Sequence, residues 1–127
     1  MKRLIPPVSY GLSFLVVLSL LSLMDSSFGA VSSGQKLFQA NCLRCHGYNA
    51  QGSLSAAKTL KVDPSLLDLT REAVARKALP YLERRIADGH GKMPQHRQRF
   101  SPSEIRSLAQ YVLSLQKAYA FRNSKPE

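Results

Sequence analysis

Two thiols and an imidazole stand together in this chain: Cys42-Leu43-Arg44-Cys45-His46. The sequence has only these two cysteines. A disulfide between them would close too short a loop to hold a domain together, so attachment or ligation is the better reading of the pair. Two thiols at this C-x-x-C-H spacing can add to the two vinyl groups along one edge of a haem. The residue that follows then places an imidazole under the iron. Imidazole binds both ferric and ferrous iron. Two rivals stand beside this reading. A Cys-x-x-Cys pair is half of a tetrahedral zinc site, which His90 and His96 could complete. A thioredoxin-like redox pair would want an adjoining βαβ pattern.

A second candidate ligand is Met93, the only methionine beyond residue 24. It lies in Gly89-His90-Gly91-Lys92-Met93-Pro94, among glycines and polar residues and away from any apolar helical face. A thioether opposite His46 would fill the iron and favour its ferrous state, which raises the potential. His90 or His96 could take that place and give a bis-His iron. Otherwise they are solvated loop residues, free to tune the haem edge or to respond to pH near neutrality.

The elements that must position these residues read as helices. Ser32, with Gln35 three residues on, makes a capping-box start for a helix that carries Leu37 and Phe38 into Cys42. Residues 47–59 are small and polar and read as loop, followed by an irregular stretch around Pro64. Thr70 is placed to cap a short helix from Arg71. A second helix is expected from Pro80 to Asp88, with Leu82 and Ile86 on its apolar edge and Gly89 as its stop. Residues 89–100 read as loop. The last helix has the clearest signals: Ser101-Pro102-Ser103-Glu104 at its start, then Ile105, Leu108, Val112 and Leu115 on one face with Tyr111 beside them. It is expected to end between Lys117 and Ala120. No segment alternates as a strand, so the expected class is all-α.

The chain has 127 residues. Residues 1–30 have the layout of a secretory signal peptide: Lys2 and Arg3, an apolar run over residues 12–24, then small residues with cleavage expected after Gly29. An uncleaved membrane anchor is the alternative, though Pro6, Pro7, Ser9 and Gly11 interrupt the start of a span. Either way the expected location is periplasmic. Residues 31–120 then form one domain, and residues 121–127 a flexible tail. From Val31 onward there are 16 Lys and Arg against 7 Asp and Glu. Such an excess favours acidic partners, or is simply a solvated surface. Its scatter argues against nucleic acid, and a membrane enters only if the leader is retained.

With these residues in view, the chain resembles the class I cytochrome c family. The resemblance runs over residues 32–115: Gly34-Gln35-Lys36-Leu37-Phe38 before the attachment motif, Gly91-Lys92-Met93-Pro94 as the ligand loop, and residues 108–115 as the final helix. It implies a small all-α fold of three to five helices around one covalent haem c. Cys42, Cys45, His46 and Met93 would be cofactor-binding, the last two as iron ligands. It also implies a crossing of first and last helices, eased by Gly34 or its neighbours, with Phe38 and Tyr111 at the contact. Pro64 is the candidate to offer its carbonyl to the ligand histidine, although the usual Gly-Pro-x-Leu wording is missing. With no tryptophan present, aromatic contact to a propionate falls to Tyr48, Tyr81 or another residue. The implied function is one-electron transfer between exported or membrane redox proteins, not catalysis. The alternatives are a dedicated haem subunit of a larger periplasmic oxidoreductase, a gas-binding or peroxidase protein with an open iron, and a zinc-binding protein without haem.

Overall fold

The computed structural model describes residues 25–124. The apolar run and positive start of the expected leader lie outside the described residues. The expected cleavage point, between Gly29 and Ala30, falls inside the first helix. Six α-helical segments follow in order: α1 Asp25–Asn41, α2 Leu43–His46, α3 Leu54–Leu60, α4 Glu72–Ala75, α5 Leu79–Asp88 and α6 Pro102–Asn123. A 3-10 turn, Pro64–Leu66, sits between α3 and α4. The class is all-α, as expected. Two segments, α2 and α4, are single turns of four residues. Among the described residues no helix is long and apolar enough to cross a membrane.

The scaffold is the pairing of α1 with α6, joined by α5 packing on α6. Gly34 makes it possible: a Cβ there would stand 2.0 Å from the Ser107 carbonyl oxygen and 2.9 Å from Tyr111 Cβ. The backbones meet where only a hydrogen can fit. One turn on, the Phe38 and Tyr111 rings meet edge to face with centroids 5.4 Å apart, a contact worth about 0.5–1.5 kcal/mol beyond area burial. Phe38 and Leu108, each 1% exposed, centre a core completed by Leu82, Ile86, Phe100, Ile105, Ala109 and Val112.

The start of α6 is as its sequence implies. Ser101 Oγ accepts from the Glu104 N–H at 3.3 Å, and a Glu104 carboxylate oxygen accepts from the Ser101 N–H at 2.8 Å. Gly89 ends α5.

Several local readings need correction. α1 does not start at a Ser32 cap; it runs unbroken from Asp25, no proline intervening. Part of the expected 47–59 loop is α3, capped by Ser53, whose Oγ accepts from the Ala56 N–H. There Ala56 and Ala57 are strong helix formers, while the serines sit at the start of the helix. Thr70 does not cap α4. It is buried, and both its N–H and its hydroxyl donate to Asp68 Oδ1 at 2.7 Å. Finally, α6 extends past Ala120 to Asn123 because no glycine or proline stops it.

Candidate functional site

The attachment motif folds as the last turn of α1 running into α2. Cys42 N–H donates to the Phe38 carbonyl, and His46 N–H to the Cys42 carbonyl, at 2.8 and 2.9 Å. The chain then doubles back beneath the histidine: Gly52 N–H donates to the His46 carbonyl at 2.7 Å and Ser53 N–H to that of Cys45 at 3.0 Å. Gly47 allows this, at φ +74 with its missing Cβ facing the Gly52 carbonyl oxygen at 2.8 Å.

His46 is buried, and its Nδ1 lies 2.8 Å from the Leu67 carbonyl oxygen. A carbonyl only accepts, so Nδ1 carries the proton and Nε2 keeps its lone pair. That is the tautomer a metal ligand needs, fixed through its second nitrogen. Burial pushes the imidazole's pKa down, against the opposing pull of the Leu67 carbonyl, and so keeps the ring neutral. The carbonyl belongs to Leu67, not to Pro64, which instead starts the 3-10 turn that presents it. No side-chain signal could have marked Leu67, because the acceptor is backbone.

Cys42, Cys45, His46 and Met93 all line one cavity of about 520 Å³, within the range of cofactor pockets. Its wall is largely apolar, with Phe38, Leu67, Leu82 and Leu108 among the lining residues. Both cysteines are free. Burial, with Cys45 beside it, pushes the Cys42 thiol up to about 11. Redox-active Cys-x-x-Cys thiols are shifted the other way. Among the described residues no three His, Cys, Asp or Glu side chains gather into a metal-binding cluster, so the rival zinc site through His90 and His96 is not assembled there.

Met93 reaches the cavity on a two-residue turn. Its N–H donates to the His90 carbonyl at 2.9 Å, and the His90 N–H donates back at 3.1 Å. Gly89, at φ +72, lets this turn lie against the end of α5: a Cβ there would stand 2.5 Å from the Met93 carbonyl oxygen. His90 is exposed, though it too is part of the cavity wall. His96 is buried: it is 6% exposed, lines the cavity and stacks on Phe100 with centroids 5.3 Å apart. Its backbone N–H is tied to the Ala87 carbonyl at 3.0 Å, which draws the ring inward. Tyr48 is 70% exposed and absent from the cavity wall, whereas Tyr81 is part of it. Arg71 and Arg85, also in the wall, were not singled out by the motif.

An apolar cavity, two free thiols in its wall, and an imidazole with its lone pair free fit a covalently attached haem. Residues 29–112 match the protein family described as cytochrome c oxidase, cbb3-type, subunit III. The chain is 33% identical over 114 residues to a cytochrome c6 of Gloeothece citriformis, covering 89% of this chain and 94% of the relative. It is 35% identical over 82 residues to a cytochrome c6 of Leptolyngbya boryana, covering 65% of this chain and 88% of the relative. A cbb3-type cytochrome c oxidase subunit CcoP of Azospirillum brasilense is 33% identical over 87 residues, 68% of this chain but 28% of that protein. The chain therefore belongs to the class I mono-haem c-type cytochromes, and is a one-electron carrier with one covalently bound haem c rather than an enzyme.

Proposed function

We propose that Cys42 and Cys45 would hold the haem through two thioether links and that His46 Nε2 and Met93 Sδ would be the protein atoms that ligate its iron. The observation that carries this reading is the His46 tautomer, fixed by Leu67, in the same cavity as both thiols and Met93. Haem c supplies an iron that cycles between ferric and ferrous. Around it, the apolar wall excludes water. His46 is held by a main-chain acceptor in a buried site, so its position does not depend on redox state. Met93 would supply the second protein ligand to the iron, which would suit electron passage and oppose substrate chemistry.

The protein passes electrons to redox partners. The excess of basic side chains supports docking to an acidic face, through a small and short-lived interface. The rate with such a partner falls as salt rises. We assign residues 1–30 to export into the periplasm and residues 31–120 to the haem domain. A second reading, a haem subunit of a larger oxidoreductase, is favoured by the resemblance to CcoP. Co-purification of a large partner from the native membrane would decide for it.

The mass of the denatured exported protein tests the attachment. Wild type retains one haem, Cys42→Ala and Cys45→Ala each keep a single link, and the double variant releases haem on denaturation. Full retention by the double variant would overturn the assignment.

A further inference from the structure

His96 puts a polar ring where the packing needs only an apolar one. The residue is 6% exposed, and its ring stacks on Phe100 with planes 20° apart, a contact that a second phenylalanine would make as well. Its Nδ1 is buried and meets no hydrogen-bond partner. Burying a polar nitrogen without a partner costs free energy that a phenylalanine at this place would not. The residue also lines the cavity that contains His46 and Met93. Burial, and then the charge of Arg99, pushes its pKa down, so the ring is neutral and one nitrogen keeps a lone pair. A neutral imidazole ligates iron.

Met93 and His96 are anchored by different bonds. Met93 is held by its reciprocal pair with His90, in a turn where an added Cβ on Gly91 would meet nothing within 4 Å. His96 is held on the far side of Pro94. Its N–H and that of Arg97 donate to the Ala87 carbonyl at 3.0 and 3.1 Å, and its own carbonyl accepts from the N–H of Arg99 and of Phe100, both at 2.9 Å. Opening the Met93 turn breaks none of these bonds. The neighbouring candidates are less well placed: Lys92 offers a donor-only ammonium, and His90 is exposed and belongs to the turn that opens.

We propose that His96 is a reserve ligand for ferric iron, taking the position opposite His46 whenever Met93 leaves it. This role rests on the assignment of the cavity to haem c and of Met93 to its iron. In the exchange a sulfur–iron bond breaks and a nitrogen–iron bond forms, and no electron or proton moves. Thioether ligation favours the ferrous state, so the ferric state is the one in which Met93 is more readily lost. His96 thereby keeps water and peroxide from an oxidised iron that Met93 no longer covers. The role belongs to the oxidised form, since carbon monoxide competes for ferrous iron and not for ferric.

The test is the spin state of the oxidised, haem-loaded protein at neutral pH, read by visible absorption and electron paramagnetic resonance. A wild type without the thioether band would overturn the Met93 assignment and the reserve role together. With that band present in wild type, oxidised Met93→Ala loses it yet stays low-spin, with the resonance of two imidazole ligands. Adding His96→Phe, which keeps a ring against Phe100, turns that variant high-spin, whereas adding His90→Ala does not. A high-spin oxidised Met93→Ala, or a low-spin signal that survives His96→Phe, would overturn the reserve role while leaving Met93 as the ligand of wild type. Should Met93→Ala fail to retain haem, warming the oxidised wild type to just below its thermal midpoint answers the question. Loss of the thioether band with low-spin iron in wild type, and with high-spin iron in His96→Phe, supports the role; high-spin iron in the warmed wild type contradicts it.

Discussion

The two walls that present the candidate iron ligands are built differently. On the His46 side, the ligand ends a helical turn, its ring is buried, its second nitrogen is bonded to Leu67, and the following chain is bonded back to the motif itself. On the Met93 side, the ligand is half-buried on a two-residue turn whose neighbours His90, Gly91, Lys92 and Pro94 are exposed. That turn is held by one reciprocal backbone pair and by contact with Gly89. Segments with few buried contacts open at lower free energy than the core. The candidate ligand His46 therefore sits on the more closely bonded wall, and the candidate ligand Met93 on the one with fewer bonds.

Both walls hang from the contact of α1 with α6, so Gly34→Ala should break them together. The new methyl meets backbone at 2.0 Å, which a side-chain shift does not relieve. We expect a loss of about 3 kcal/mol or more, read as a fall in the thermal midpoint of more than about 12 °C. A variant as stable as wild type would mean that the helices can part without cost.

Gly47→Ala and Gly89→Ala sharpen the difference between the walls. Each places a side chain at left-handed φ against a backbone oxygen, at a cost of about 1–3 kcal/mol. Urea titration should find the two losses similar. Their spectra should differ: Gly89→Ala weakens the thioether band, whereas Gly47→Ala leaves it in place. Equal effects on that band would erase the distinction.

The smallest effect belongs to the scaffold's cap. Ser101→Ala should cost about 1 kcal/mol, measured by denaturant midpoint. The N–H and hydroxyl of Ser101 hold the Glu104 carboxyl below its usual range. A carboxyl depressed in the folded state stabilises above its unfolded pKa of about 4.3, and that contribution fades as pH falls through the lower folded value. The gap between wild type and Ser101→Ala should accordingly narrow at acid pH and stay constant near neutrality.

The scaffold and the motif were legible in the sequence because side chains carry both. Ser101-Pro102-Ser103-Glu104 announces α6, the Leu108 and Val112 spacing gives its buried face, and C-x-x-C-H names its own chemistry. What escaped was carried by main chain or by distance. Leu67 acts through a carbonyl. Ser53 caps a helix within a stretch whose small residues read as loop. His96 is buried because its backbone is tied to Ala87 across the turn. Gln116, placed near the expected end of α6, is buried, with its amide donating to the Leu69 carbonyl at 2.7 Å. Arg71 and Arg85 reach one cavity only through the placing of α4 and α5.

Ligation of the iron by both His46 and Met93 is open to direct test. The most direct measurement is the visible spectrum of the exported protein, oxidised and reduced, with carbon monoxide added to the reduced form. Low-spin haem c bands, the weak long-wavelength band of thioether ligation, and no shift on adding carbon monoxide are the predicted result, with Met93→Ala losing the band and binding the gas. A high-spin wild-type spectrum, or rapid carbon monoxide binding by the wild type, would contradict the account and return the site to gas-binding or peroxidase chemistry.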